Sequence, residues 1–315
     1  MSLTDAATEA EHVPEQVAVV QGKGPWQLAW ERLTRDRAAM VSLGVIAVIV
    51  LLAVLAPVFA AVTGHDPQEQ FPSIGLSPQG LPIGPGSGFW LGADSLGRDL
   101  FVRLLYGARI SLLVGLLSTL LATVFGVVVG MFAGFYGGWV DGVLARVLDV
   151  VLSFPYLLVA IVLVAALGAG VPLMIFVIAF FSFAAMARVV RGQTIAYRER
   201  EFIEAARSLG AGKVRTMFVD VLPNLIAPVT VLATLLIPTS IVFEATLSFL
   251  GLGVDPRTPS WGAILADSID FFRVSPGLLI FPAAMLLLTT LAFNLLGDGI
   301  RDALDPRSDR LHTRK

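Results

Sequence analysis

The chain has 315 residues, of which 56% are apolar and 15% are charged, and its formal net charge is −2. Soluble domains carry about 25% charged residues, so this chain has too few ions for a surface wholly in water, and its charge gives no indication of nucleic-acid binding. The absence of cysteine excludes disulfides, thiol catalysis and cysteine-ligated metal. The three histidines, His12, His65 and His312, lack metal-ligand spacing, so no metal site is expected.

Six apolar stretches are long enough to cross a membrane. A helix rises 1.5 Å per residue, so about 20 apolar residues cross the hydrocarbon. The stretches are residues 40–62, 110–135, 150–169, 171–187, 224–250 and 277–296. Pro155 interrupts the third, and its short link to the fourth predicts a tight helical hairpin. The sequence therefore predicts an all-α membrane protein with six transmembrane helices.

The distribution of Lys and Arg predicts the orientation. If the N-terminus is cytoplasmic, the external loops hold five of the 22 basic residues: Arg98, Arg103, Arg109, Arg257 and Arg273. Positive charge concentrates on the cytoplasmic side, so both termini are expected inside. The predicted organisation is a partly disordered leader (1–39), a six-span domain (40–300) and a tail (301–315). A cleaved signal peptide is the disfavoured alternative for the first stretch, because its apolar run is too long and follows a long polar leader.

The first external loop, 63–108, is rich in Pro and Gly. Such a segment is expected to be irregular and to lie on the surface. Two interpretations stay open for it: a passive linker, or a docking or gating surface on the outer face.

Four glycines recur once per helical turn in the second span: Gly126, Gly130, Gly134 and Gly138. Small residues on one face let membrane helices approach closely. Packing against another helix of this chain is favoured over a seam with a second subunit.

The cytoplasmic loop 188–223 contains an amphipathic helix candidate at 198–209. Its apolar face comprises Phe202, Ala205, Ala206 and Leu209. Gly210 is expected to end it, because glycine takes the left-handed conformation at little cost. A second helical piece at 213–222 leads to Pro223. Docking to a partner protein is favoured over a loop that rests on lipid headgroups.

Polar residues within the spans are few. Glu244 is costly in a membrane and is therefore a functional hypothesis. It could face the pathway, pair with an arginine such as Arg109, or cap the backbone near Pro238, and a structural or gating role is favoured over ligand contact. Asn294 is expected to hydrogen-bond between helices.

Catalytic motifs are absent from the sequence. The one Gly-Lys pair that could belong to a Walker A loop, Gly212-Lys213, is followed by Val214 and has Arg207 in place of the first glycine. No Gly-x-Ser-x-Gly elbow occurs either. ATP must therefore bind to another chain if it is used. The rival classes are a membrane enzyme, which lacks its catalytic residues, and a self-contained carrier or channel, whose repeat halves or discontinuous helices are not detected.

The cytoplasmic loop resembles the EAA loop of ABC importer permeases. The matching residues are Glu204, Ala205, Ala206, Gly210, Leu222 and Pro223, whereas Asp220 stands where that pattern has an apolar residue. Further stretches look like the dipeptide/oligopeptide/nickel permeases, and more like their C-type than their B-type subunit: residues 91–99, 103–112, 244–253, 259–262 and 293–307. The resemblance spans 26–307 and leaves out the leader and the insert 64–88.

The resemblance implies a type I ABC importer permease with cytoplasmic coupling helices in a bacterial inner membrane. In that family the first helix of the loop sits in a groove of an ATPase subunit, and a second, related permease completes the path. Two ATPase subunits bind ATP and Mg, an external binding protein delivers the solute, and the permease itself holds no cofactor. Di- or oligopeptides are the expected solutes, with nickel complexes or another small solute as the alternative.

Overall fold

The computed structural model describes residues 24–86, 88–255 and 257–305, which are nearly all helical apart from the loop before α5 and the short connections. In chain order the helices are α1 (Pro25–Arg35), α2 (Arg37–Val54), α3 (Ala56–Thr63), α4 (Pro72–Gly75), α5 (Leu100–Tyr136), α6 (Gly138–Ser153), α7 (Tyr156–Leu167), α8 (Val171–Arg198), α9 (Glu201–Ser208), α10 (Lys213–Arg215), α11 (Leu222–Phe249), α12 (Trp261–Ser268) and α13 (Gly277–Leu304). A π-helical segment, Thr216–Val221, joins α10 to α11.

Within the described residues, five helical runs are long and apolar enough to cross a membrane: α2, α5, α8, α10 through α11, and α13. The pair α6 and α7 makes a sixth span only if a helix broken by 81° counts as one. The break lies at Phe154 and Pro155, where Phe154 is extended (φ −79°, ψ 134°). A proline forces the residue before it out of the helical region and lacks an N–H for the ladder. The predicted third span at 150–169 is thus two helices.

Other helix ends also differ from the ends of the predicted stretches. The first stretch, 40–62, is divided at Leu55, because Pro57 in the first turn of α3 cannot continue the ladder of α2. Helix α5 begins at Leu100, after Asp99 whose carboxylate accepts from the Val102 N–H at 3.1 Å, so the external loop ends before the predicted 108. Helix α8 continues to Arg198, so the first part of the predicted loop 188–223 is helical.

The ends of the chain are described in part. Residues 1–23 of the predicted leader and 306–315 of the predicted tail lie outside the described residues. The rest of the leader forms α1 and the start of α2, which Asp36 caps by accepting from the Ala38 N–H at 2.8 Å. Helix α1 also meets the end of α13, since Arg32 donates to the carbonyls of Ala303 and Asp305. The two ends of the described chain therefore lie at the same end of the bundle.

The glycine ladder of α5 packs against α8. This is the contact with another helix of the same chain that the sequence predicted. A Cβ added at Gly126 would lie 2.6 Å from Met186 Cβ, and one at Gly134 would lie 2.7 Å from the Arg191 carbonyl oxygen. The fourth glycine does not belong to the ladder. Gly138 follows the end of α5, has φ +53°, and a Cβ there would have no atom within 4 Å.

Replacing the middle glycine, Gly130→Ala, is expected to lower the free energy of unfolding by about 1–3 kcal/mol, as overpacking does. A Cβ there meets the backbone of α8, including Arg191 N at 3.0 Å, and backbone cannot swing aside. Thermal unfolding in detergent measures the change. The matched control is Gly192→Ala in α8, where an added Cβ has open space. This substitution should raise the free energy of unfolding by about 0.5–1 kcal/mol, because alanine is favoured over glycine inside a helix. Equal stability of the two variants would contradict the close contact.

Candidate functional site

The bounds of helix α9 agree with the predicted helix 198–209 to within a few residues. It runs from Glu201 to Ser208, and Gly210 follows it with φ +87°. The Gly210 N–H donates to the Arg207 carbonyl at 2.9 Å, and the Ala211 N–H donates to the Ala206 carbonyl at 3.0 Å. These two bonds form a Schellman motif, which satisfies carbonyls at the helix end. The turn after α9 is therefore fixed by its own backbone.

A residue outside the predicted apolar face orients α9. Ile203 is fully buried, in a cluster with Met217 of the π-helical segment and Leu225 of α11. Phe202 is 45% exposed and Leu209 is 90% exposed, so the predicted apolar face is turned away from the body of the protein. Helical spacing did not single out Ile203, because it cannot tell which of two apolar faces finds a tertiary contact.

The exposed side of α9 presents both apolar and charged groups. Glu204 and Arg207 are exposed beside Phe202 and Leu209. An exposed apolar patch with a charged rim is typical of a protein–protein contact. The arrangement provides a small, stiff surface that a partner could grip.

A turn and then a helical run from Lys213 link this surface to a membrane span. Leu222 and Pro223 occupy the first turn of α11, directly after the π-helical segment. Asp220, which departs from the EAA pattern, lies in that segment with Arg215 Nη1 3.9 Å from its Oδ2 atom. That oxygen accepts no hydrogen bond within the described residues. A π-helical turn loosens the regular ladder and is frequent at functional sites. The six EAA residues thus lie in α9, in the turn that ends it, and in the first turn of α11.

Glu244 lies at the contact of three helices. It is fully buried in α11, accepts from Ser111 Oγ of α5 at 2.6 Å, and accepts from Ser248 Oγ at 2.7 Å. The Trp261 N–H at the start of α12 donates to Ser111 Oγ at 3.4 Å. Buried polar groups need such partners. Glu244 therefore connects α5, α11 and α12.

One alternative considered for Glu244 and the hydrogen bond expected for Asn294 are not formed within the described residues. Arg109 does not pair with Glu244; it is exposed, and its guanidinium lies 5.4 Å from the centre of the Tyr106 ring. Asn294 is exposed on α13 and makes no side-chain hydrogen bond to another described residue. The expectation failed because residue spacing does not fix which side of a long helix faces the bundle.

The external loop is folded around buried charges that sequence reasoning missed. Asp94 Oδ2 lies 2.6 Å from Arg98 Nε and 3.0 Å from Arg103 Nε, and all three side chains are buried. Arg98 also reaches Asp267 of α12 at 3.4 Å. Burial raises the pKa of the Asp267 carboxyl, and the charges of Arg103 and Arg98 oppose that shift. The loop is thereby tied to α5 and α12.

A second contact closes the same loop. His65 Nδ1 lies 2.7 Å from Asp99 Oδ2, and the imidazole stacks on Phe89 at 4.8 Å between ring centres. The one available signal in the sequence was the density of ionisable residues at 94–103 in a loop otherwise rich in Pro and Gly. The segment is thus held by many buried contacts, and a linker or a docking or gating surface both stay predictions for it. No group of three or more acidic or histidine side chains suited to a metal ion occurs in the described ranges.

Comparison with known proteins decides the family. A profile described as "Binding-protein-dependent transport system inner membrane component" matches residues 126–310. The chain belongs to this family, the permease subunits of ABC importers. A second profile, "N-terminal TM domain of oligopeptide transport permease C", matches residues 24–78 of the permease. The C-type assignment within the peptide and nickel group is thus confirmed, and the insert 64–88, expected to lie outside the resemblance, is partly inside it.

Relatives of the permease agree over nearly its whole length. It is 43% identical to the glutathione transport system permease protein GsiD of Salmonella typhimurium, over 94% of this chain and 95% of that protein. It is 41% identical to GsiD of Escherichia coli O6:H1, over 93% of each. Among solved structures, an inward-facing MetNI methionine ABC transporter matches with a TM-score of 0.53 at 17% identity, over 64% of this chain and 96% of that one. That match supports the type I permease fold.

Proposed function

We propose that the permease forms half of a translocation path for short peptides and receives motion from separate ATPase subunits through α9. The observation that carries the proposal is the placement of α9. Buried Ile203 fixes the helix to the body, whereas Phe202, Glu204 and Leu209 stay exposed. A helix held on one side and open on the other can transmit a push from a partner.

The connection to α11 gives that push a route. The Schellman turn at Gly210 makes the end of α9 rigid, and the segment from Lys213 runs without a break into α11. A displacement of α9 would therefore move the start of a spanning helix. Because the sequence has no Walker A loop, the source of the motion is assigned to partner chains that bind ATP and Mg.

Peptides are the proposed solutes because the related permeases are named for transport of a peptide. Proteins named for glutathione transport are 41–43% identical to the permease over more than nine-tenths of its length, and glutathione is a short peptide. The proposed partners are a second, related permease, two ATPase subunits and an external binding protein. The contact of α1 with the end of α13 supports placing both chain ends on the cytoplasmic side, together with α9 and the basic residues.

Reconstitution tests the proposal. The permease is placed in proteoliposomes with a candidate second permease, ATPases and binding protein from the same organism, and uptake of labelled glutathione and dipeptides is measured with and without ATP. Uptake is expected only with ATP and the complete set of subunits. Uptake by the permease alone would make it a carrier and overturn the proposal. ATP-driven uptake of nickel complexes but not of peptides would overturn the peptide assignment alone.

A further inference from the structure

A basic cleft lies beside the coupling helix, at the end of α5. It has a volume of about 470 Å³ and is lined by Phe135, Tyr136, Arg198, Arg207, Ala211 and Lys213. Three of these residues are cations, and none of the described lining residues is acidic. Phe135 also belongs to the apolar cluster that buries Ile203. The cleft therefore adjoins the contact that holds α9 to the body.

The three cations are positioned by the end of α5. The Arg207 guanidinium lies 5.6 Å from the centre of the Phe135 ring, and Lys213 Nζ lies 5.9 Å from the centre of the Tyr136 ring. Arg198 Nη1 donates to the Phe135 carbonyl at 3.4 Å. The Arg198 guanidinium packs against Gly137, since a Cβ added at Gly137 would lie 2.7 Å from Arg198 Nη1. Aromatic faces and a helix-terminal carbonyl attract cations, so the charges are gathered before any ligand binds.

The depth of the cleft matches the lipid headgroups. The uncharged apolar run of α5, residues 110–135, ends beside Tyr136, so the cleft lies at the end of the apolar part of this spanning helix. Tyr136 is 39% exposed, and Trp139, just beyond it, is 80% exposed. Tyrosine and tryptophan collect at the membrane–water interface. A ligand of this cleft therefore meets the headgroup layer.

We propose that the cleft binds the phosphate of an anionic phospholipid headgroup. Arginine and lysine are the residues that recognise phosphate, arginine through paired N–H donors, and basic residues at this depth attract anionic lipids. Since Arg207 belongs to α9 and the aromatic rings belong to α5, a phosphate bound here bridges the coupling helix and a spanning helix. Lipid composition would then affect how firmly α9 is held.

Native mass spectrometry of the purified full chain tests the proposal, with phosphatidylglycerol or phosphatidylcholine added in detergent. The cleft variant is Arg207→Gln with Lys213→Gln. The control variant is Arg200→Gln with Arg215→Gln, which removes the same charge from exposed positions outside the cleft lining. Each cleft charge is expected to contribute about fivefold to affinity, the equivalent of about 1 kcal/mol. The cleft variant should bind phosphatidylglycerol about 25-fold more weakly, and the control variant should bind it like the wild type.

Further measurements distinguish a lipid phosphate from free phosphate, and a lipid site from a contact with the ATPase. Inorganic phosphate at millimolar concentration should not displace phosphatidylglycerol from the wild-type chain; displacement would identify a site for free phosphate and overturn the lipid assignment. Equal loss in both variants, or no preference for phosphatidylglycerol over phosphatidylcholine, would also overturn it. Unchanged lipid binding with weakened ATPase binding in the cleft variant would assign the cleft to the ATPase contact instead. None of these outcomes depends on which solute is transported.

Discussion

Glu204→Lys is expected to weaken binding of the ATPase subunits about 30-fold and to lower ATP-driven uptake to a similar extent. The carboxylate is exposed on the side of α9 that a partner can reach, and truncation of a central contact residue costs about 2 kcal/mol or more. Reversing the charge adds like-charge repulsion against any group that pairs with it. Co-purification of ATPase subunits and uptake in proteoliposomes measure the two effects. Membrane insertion should persist, because the substitution leaves the apolar spans unchanged, and Ile203 still anchors α9 to the body.

The matched control for charge is Glu199→Lys, which makes the same change at an exposed position just before α9. The ion pair of Glu199 with Arg198 Nη2, at 3.8 Å, lies at the surface and contributes little to stability. It should leave ATPase binding within about twofold of the wild type, as surface substitutions generally do.

Two proline substitutions test whether the turn after α9 must be rigid. Proline cannot adopt the φ of +87° at Gly210, whereas the φ of −69° at Gly212 suits it. Gly210→Pro should therefore uncouple ATP hydrolysis from uptake and Gly212→Pro should not. Normal uptake by Glu204→Lys and Gly210→Pro together would refute the coupling role.

The sequence predicted the membrane spans well and the helix ends poorly. Long apolar runs identify what lies in hydrocarbon, because each buried charge there is costly. A helix does not end where the hydrocarbon ends, so α8 continues to Arg198 through a charged segment. Conversely, the uncharged run 40–62 contains a break at Leu55. Hydropathy does not register that break, and only the proline two residues later indicates it.

The candidate site divides in the same way. The motif gave the position of α9 and its terminal Gly210, since a positive φ at a helix end has a residue signature. It did not give Ile203 as the anchor, because one isoleucine among several apolar residues is distinguished only by the cluster that receives it. The buried pair Asp94 and Arg98 was equally hidden. Ion pairs between sequence neighbours usually lie on the surface, and only contact with Arg103 and α12 buries this one.

Glu244→Leu is expected to lower the free energy of unfolding by at least about 2 kcal/mol. The substitution removes the acceptor for Ser111 Oγ and Ser248 Oγ, and each buried hydroxyl left without a partner costs about 1–3 kcal/mol. It also loosens α12, whose Trp261 N–H contacts the same serine. Thermal unfolding of the purified permease in detergent measures the loss. Limited proteolysis in the loop before α12 should rise in parallel.

Glu244→Gln separates a structural role from contact with the solute. The amide keeps the shape and an acceptor oxygen, so most of the stability should return, and uptake in proteoliposomes should return with it. Ser111→Ala and Ser248→Ala should each reproduce part of the leucine effect, because each removes one of the two donors. A glutamine variant of wild-type stability that no longer transports would require the carboxylate itself to act on the solute. That result would replace the structural role of Glu244, a link between α5, α11 and α12, with a place in the path.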